Sequence, residues 1–198
     1  FGTAPTVCTD TFTITVTVNP NPSIANKTQT ICSGTTFTVT PTNTAPDVVP
    51  TGTTYTWSVA AAAGITGASN QATAQTSISQ TLINTTSTNL DAVYTVTATF
   101  GTAPNSCSSS FNITVTVIPN PTITDVTQTI CSTGTFTVTP TNTAPDVVPT
   151  GTTYTWTVAT PAGITGASNQ GTAQTSISQT LTNTTSSAIN VVYTVTAS

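Results

Sequence analysis

Apolar and hydroxyl-bearing residues alternate with a period of two along most of the chain. Residues 11–18 (TFTITVTV) set Phe12, Ile14, Val16 and Val18 on one face and threonine on the other. That is the pattern of a half-buried strand rich in β-branched side chains. The same alternation predicts strands over 24–31, 35–40, 53–59, 76–83, 92–99 and 111–117, with a short extra strand over 63–66. Residues 84–91 (NTTSTNLD) and 105–110 have the Asn, Ser and Thr content of turns. No helical period is present. The strand at 11–18 must end at Asn19-Pro20-Asn21-Pro22, and the one at 111–117 at Ile118-Pro119-Asn120-Pro121. Alternate prolines hold the backbone extended and remove N–H donors, which makes these runs stiff connectors.

The pattern is also periodic on a longer scale. Residues 37–57, FTVTPTNTAPDVVPTGTTYTW, recur letter for letter at 136–156, and the offset of 99 relates Cys8 to Cys107, Cys32 to Cys131 and Tyr94 to Tyr193. The chain is two copies of one unit, a piece of a repeat array. Six or seven short strands per unit predict an all-β fold of tandem immunoglobulin-like β-sandwich repeats. With the proline runs as boundaries, 1–18 is the final strand of a preceding repeat and 19–22 a linker. Residues 23–118 form a complete repeat, 119–121 a second linker, and 122–198 a repeat lacking its last strand. Either the chain is a window on a longer array, or the missing strand comes from a neighbouring copy, as in strand complementation.

Composition narrows the functions available. The chain has no Met, His, Glu or Arg, and its charges are Lys27 and five aspartates. A chain with no basic patch cannot neutralise phosphates, so nucleic acid is not a partner. No run approaches the ~20 apolar residues of a membrane helix, so this segment is not expected to insert into a membrane. With no Met and no signal peptide, the chain is expected to be cut from something longer. Aromatic and β-branched residues with little net charge predict order rather than disorder.

The four cysteines form no C-x-x-C pattern, and with no His a metal site is unsupported. Disulfides in an oxidising, extracellular setting are expected instead. Within one complete repeat the preferred pair is Cys32 with Cys107, which would constrain the unfolded state by roughly 4 kcal/mol. Cys8 and Cys131 would then pair with neighbouring repeats. A competing connectivity, Cys8 with Cys32 and Cys107 with Cys131, would staple across each linker.

Tyr55 and Trp57 share one strand face, which reads either as a sugar-stacking platform or as core. A buried Trp on the third strand is a hallmark of these sandwiches, and Tyr94 stands where a corner tyrosine is expected. The predicted core is therefore Phe12, Phe37, Tyr55, Trp57, Tyr94 and Phe111, with Phe136, Tyr154, Trp156 and Tyr193 in the second copy. Phe1 and Phe100, outside a clear strand pattern, are the expected exposed aromatics. Asp47 and Asp146 are the charge kept in both copies. Calcium would need about 6–8 oxygens and more than one carboxylate, so each Asp is expected to bond its own turn backbone. Pro46, Asp47 and Pro50, with Pro145, Asp146 and Pro149, mark a candidate contact loop between repeats. Asn84 and Asn183 sit in matched Asn-Thr-Thr sequons and are read as turn residues. No catalytic residue, cofactor or metal is assigned, because without His or Glu no acid–base pair recurs in the repeat.

The segments TQTICSGTTFTV (28–39), TYTWSV (54–59) and VYTVTA (93–98), and Cys107 ahead of FNITVTVIPNP (111–121), resemble PKD-like, immunoglobulin-like repeats. Such repeats fill the long surface adhesins of Bacteroidota, including gliding-motility adhesins exported by the type IX secretion system. The resemblance covers the whole unit. It departs from the better-known PKD pattern after the tryptophan, where Ser58-Val59-Ala60 replaces a Gly/Asp-rich turn, so no role of that turn carries over. The resemblance implies a non-enzymatic adhesin stalk or filament at the cell surface, partnered by neighbouring repeats of the same protein. The alternative is a carbohydrate-binding module of a secreted protein, with surface polysaccharide as partner. That would require an exposed aromatic row with Trp57 accessible.

Overall fold

A computed structural model describes residues 9–198, which form two all-β modules in tandem. The first contains β1 (Lys27–Cys32), β2 (Thr36–Val39), β3 (Thr54–Ala61), β4 (Ile65–Thr66), β5 (Gln71–Gln75), β6 (Ile78–Thr81), β7 (Ile83–Asn84), β8 (Leu90–Phe100) and β9 (Cys107–Ile118). One sheet has the order β1-β9-β8-β3-β5; β2 pairs with β6, and β4 with β7. The long antiparallel ladder of β8 and β9 sets Tyr94 opposite Ile113 and Val96 opposite Phe111, while Trp57 on β3 lies opposite Val96. Because side chains alternate across a strand, these residues all face the core. Phe37 on β2 meets them from the other side, its ring centroid 5.0 Å from that of Tyr94.

Most predicted strands form. The predicted 76–83 segment divides into β6 and β7, which pair with different partners. Strand β5 is a polar edge strand whose QATAQ sequence has no apolar alternation. It exists because β3 offers it a ladder, with a register shift between Tyr55 and Trp57.

The second module contains β10 (Gly134–Val138), β11 (Tyr154–Val158), β12 (Ile164–Thr165), β13 (Gln170–Gln174), β14 (Ile177–Asn183) and β15 (Tyr193–Ala197). Its sheets run β13-β11-β15 and β10-β14-β12. It has no counterpart of β9, and residues 126–131, which match β1, form no strand. The two absences are one effect, since β1 is held only by its parallel pairing to β9. Strand β15 is correspondingly 5 residues long where β8 is 11. The core is thinner too: Tyr154, Trp156 and Ile177 are buried, but Phe136 and Tyr193 only partly.

Two expectations are corrected. Phe12 is not core but 83% exposed, because residues 9–18 lie in no strand and pack against no module of their own. Cys32 and Cys107 do not pair within the repeat; both are free thiols, as is Cys131. Cys32 lies opposite Ile118, the last residue of β9, whereas Cys107 is the first of its 12. At about 3.3 Å per residue the two are on the order of 35 Å apart, far beyond the ~7 Å between Cα atoms that a disulfide spans. Cys8 and Phe1 lie outside the described residues, and Phe100 is half-buried at the end of β8.

Candidate functional site

The features repeated in both copies converge on the junctions between modules. Each proline linker is gripped where it meets its module. Ser23 and Val48 exchange both backbone hydrogen bonds (2.9 and 2.7 Å), and Thr122 and Val147 do the same (2.8 Å each). Pro22 is fully buried. Linker prolines cannot bond through nitrogen, so the first residue after them carries the attachment. The loop that supplies Val48 is itself braced, with Val49 N–H donating to Asn43 Oδ1 at 3.0 Å.

Asp47 is the second part of the grip. It is 7% exposed and accepts from the Ala25 N–H at 2.8 Å and from the Lys27 ammonium. The Lys27 hydrogen bond, then the Ala25 N–H, hold its carboxyl below the usual carboxylate range, against the opposing effect of burial. Asp146 accepts from the N–H and Oγ1 of Thr124, both at 2.9 Å. The expectation that each Asp bonds its own turn is therefore corrected: both fasten the segment that follows the linker. The Lys27–Asp47 ion pair was hidden in the sequence because Val126 stands where the second copy would need a lysine.

The same loop in the second module faces the first. Asn142 Nδ2 donates to Ser87 Oγ at 2.8 Å. Pro145 and Asp146 line an open depression with Thr85 and Thr86, and Pro149 lines another with Ser87 and Asn89. In the first module Pro46, Asp47 and Pro50 hold the equivalent positions of the loop. On the other side of the junction, linker residue Asn120 donates through Nδ2 to the Ser33 carbonyl at 2.9 Å.

Asn84 does more than shape a turn. It is buried, and its Nδ2 donates to Thr88 O (2.7 Å) and to Val117 O on β9 (2.8 Å), while Oδ1 accepts from Thr86 N and Oγ1. Asn183 keeps the turn bonds but is only half-buried, and no strand of its module corresponds to β9. Beside β15, Val195 is 40% exposed, whereas its counterpart Val96, paired with Phe111 of β9, is 0% exposed. Residues 11–18 repeat the alternation of β9 without forming a strand. Phe12, Ile14, Val16 and Val18 are 75–85% exposed, whereas their counterparts Phe111, Ile113, Val115 and Val117 on β9 are at most 4% exposed.

Trp57 and Trp156 are 7% and 5% exposed, and each Nε1 donates to a backbone carbonyl, of Ser69 and Ser168, at 3.1 Å. Neither ring offers a face for stacking a sugar. Tyr94 donates to Gln80 Oε1 at 2.8 Å, and Tyr193 to Gln179 Oε1 at the same distance. Neither makes the backbone bond of a corner tyrosine. Among the described residues, no three metal-ligating side chains gather.

No curated protein and no solved structure matches the chain. The family described as PKD-like domain matches it twice, over residues 29–121 and 128–198. The first match runs from within β1 through β9, and the second takes in β10–β15. The chain belongs to the PKD-like domain family, as two such domains in tandem.

Proposed function

We propose that this chain is a structural repeat segment of a long extracellular surface protein, an adhesin stalk or filament of the kind found in Bacteroidota. Its neighbours are further copies of the same module, and each module is completed by a last strand that leads directly into the next linker. PKD-like domains are typically non-catalytic and typically belong to extracellular or surface proteins. The observation that carries the reading is the match between an exposed segment and an exposed edge: residues 11–18 alternate as β9 does, and Val195 on β15 is exposed where Val96 is covered by β9. A flat apolar strand left open is an aggregation hazard, and in an array it is covered by the module it completes. Sparse charge and threonine-rich outer faces leave little repulsion between modules.

Electron microscopy of the concentrated chain, kept reduced, tests this reading. Unbranched rods with an axial repeat of one module are expected. Monomers, or irregular aggregates without a repeat, would contradict it.

A further inference from the structure

We infer that Cys32 forms a disulfide with the cysteine of the following module that corresponds to Cys107, closing each junction covalently beside its proline linker. The inference rests on the proposed completion of each module by its last strand. Two contacts carry it. At the far end of the first module, Cys32 lies opposite Ile118 in the parallel β1–β9 ladder, and the adjacent Ser33 N–H donates to the Ile118 carbonyl at 2.8 Å. At the near end of the same module, the Cys107 thiol meets the carbonyl of Asn19 at 3.8 Å. Asn19 and Ile118 are the same position of the unit, 99 residues apart. The two linkers also enter their modules alike, through the Ser23–Val48 and Thr122–Val147 bridges.

Carrying the near-end contact forward by one unit brings the next module's thiol to the Ile118 carbonyl. That oxygen already accepts from the Ser33 N–H, next in sequence to Cys32. Cys32 is exposed and Cys107 partly so, so an oxidant can reach both. When residues 10–18 of a second copy complete 122–198, the partners are fixed by the offset. Cys32 meets the second copy's Cys8, and Cys131 meets its Cys107. In each bond two thiols lose two protons and two electrons as S–S forms, and a disulfide oxidant such as oxidised glutathione is reduced to two thiols.

The test mixes isotope-labelled and unlabelled chains, allows them to associate in reductant, and then oxidises them with glutathione disulfide. A covalent ladder on non-reducing gels is expected, with mixed-isotope Cys8–Cys32 and Cys107–Cys131 peptides by mass spectrometry. Cys32→Ser should remove the first link and keep the second. Same-copy links, or free thiols in chains that sediment as associated, would overturn the inference while leaving strand completion intact. Chains that never associate in reductant would instead count against strand completion. A chain with residues 1–18 repeated after Ser198 then decides the disulfide: its added cysteine should join Cys32 of the same chain, and a free Cys32 there overturns it.

Discussion

Asn84 donates its side-chain amide to the carbonyl of Val117, tying the turn before β8 to the end of the last strand. Asn183, its counterpart, has no such acceptor and is only half-buried. One residue in one turn thus sits in two environments that differ by the presence of β9. Asn84→Ala strands buried partners and should cost about 1–3 kcal/mol. Asn183→Ala should cost clearly less in the isolated chain, since it removes only exposed turn bonds. Urea denaturation of the two variants, followed through the Trp of each module, measures the difference.

Stability of the first module should fall at both extremes of pH. The folded Asp47 carboxyl titrates below its ordinary value because of Lys27 and the Ala25 N–H. Its contribution is therefore present above the unfolded value of about 3.9 and is lost as pH falls through the lowered folded value. Burial pushes Tyr94 up to about 12. The unfolded chain releases that proton near pH ~10, so stability is full below pH ~10 and drops as pH rises toward the folded value. Melting temperature against pH should show both flanks. Asp47→Asn should flatten the acid flank and Tyr94→Phe should reduce the alkaline one.

Gly67 holds a tight turn that other residues cannot occupy. Its φ is +88°, and a Cβ there would lie 2.2 Å from the Thr81 carbonyl oxygen; Gly166 meets Thr180 at the same distance. Gly67→Ala should destabilise the module by more than about 1 kcal/mol. Gly34→Ala, also at positive φ but in open space, should cost about that much or less. Thermal melts of the two variants make the comparison.

Asp10 is the poor fit in the donated strand. Its counterpart Ser109 is on the inward-alternating face of β9, with its hydroxyl buried and unpartnered. A carboxylate placed there loses water without gaining a donor. Asp10→Ser should therefore tighten association between copies by about tenfold or more, roughly 1.4 kcal/mol. Sedimentation in reductant reads the change.

How much of this was readable in the sequence follows from which signals are local. Alternation at residues 92–99 and 111–117 identified β8 and β9 because burial on one face of a sheet leaves a period of two. Strand β5 was not readable, because an edge strand of Gln, Ala and Thr exists through its neighbour's ladder rather than its own pattern. The repeat offset related each residue of one copy to its counterpart in the other. It could not show that Asp47 reaches Ala25 across 22 positions, or that Cys32 and Cys107 occupy opposite ends of one module. The first depends on how the loop folds back onto the segment after the linker, and the second on the parallel course of β1 along β9; no local pattern encodes either. The long identity of residues 37–57 and 136–156 has a physical reading in the same terms. It contains β2, the loop that grips the linker, and the strand that buries Trp57.

The most direct measurement is main-chain hydrogen exchange, resolved by residue, as the reduced chain is concentrated. Strand β15 already pairs with β11 on one side, so the amides that report are those on its other edge. If residues 11–18 supply the last strand of a neighbour's second module, protection should appear together in 11–18, in those outer-edge amides of β15 and in residues 126–131, and in proportion to association. Association that leaves residues 11–18 unprotected, or protection of the outer-edge amides of β15 in the monomer, would contradict strand completion.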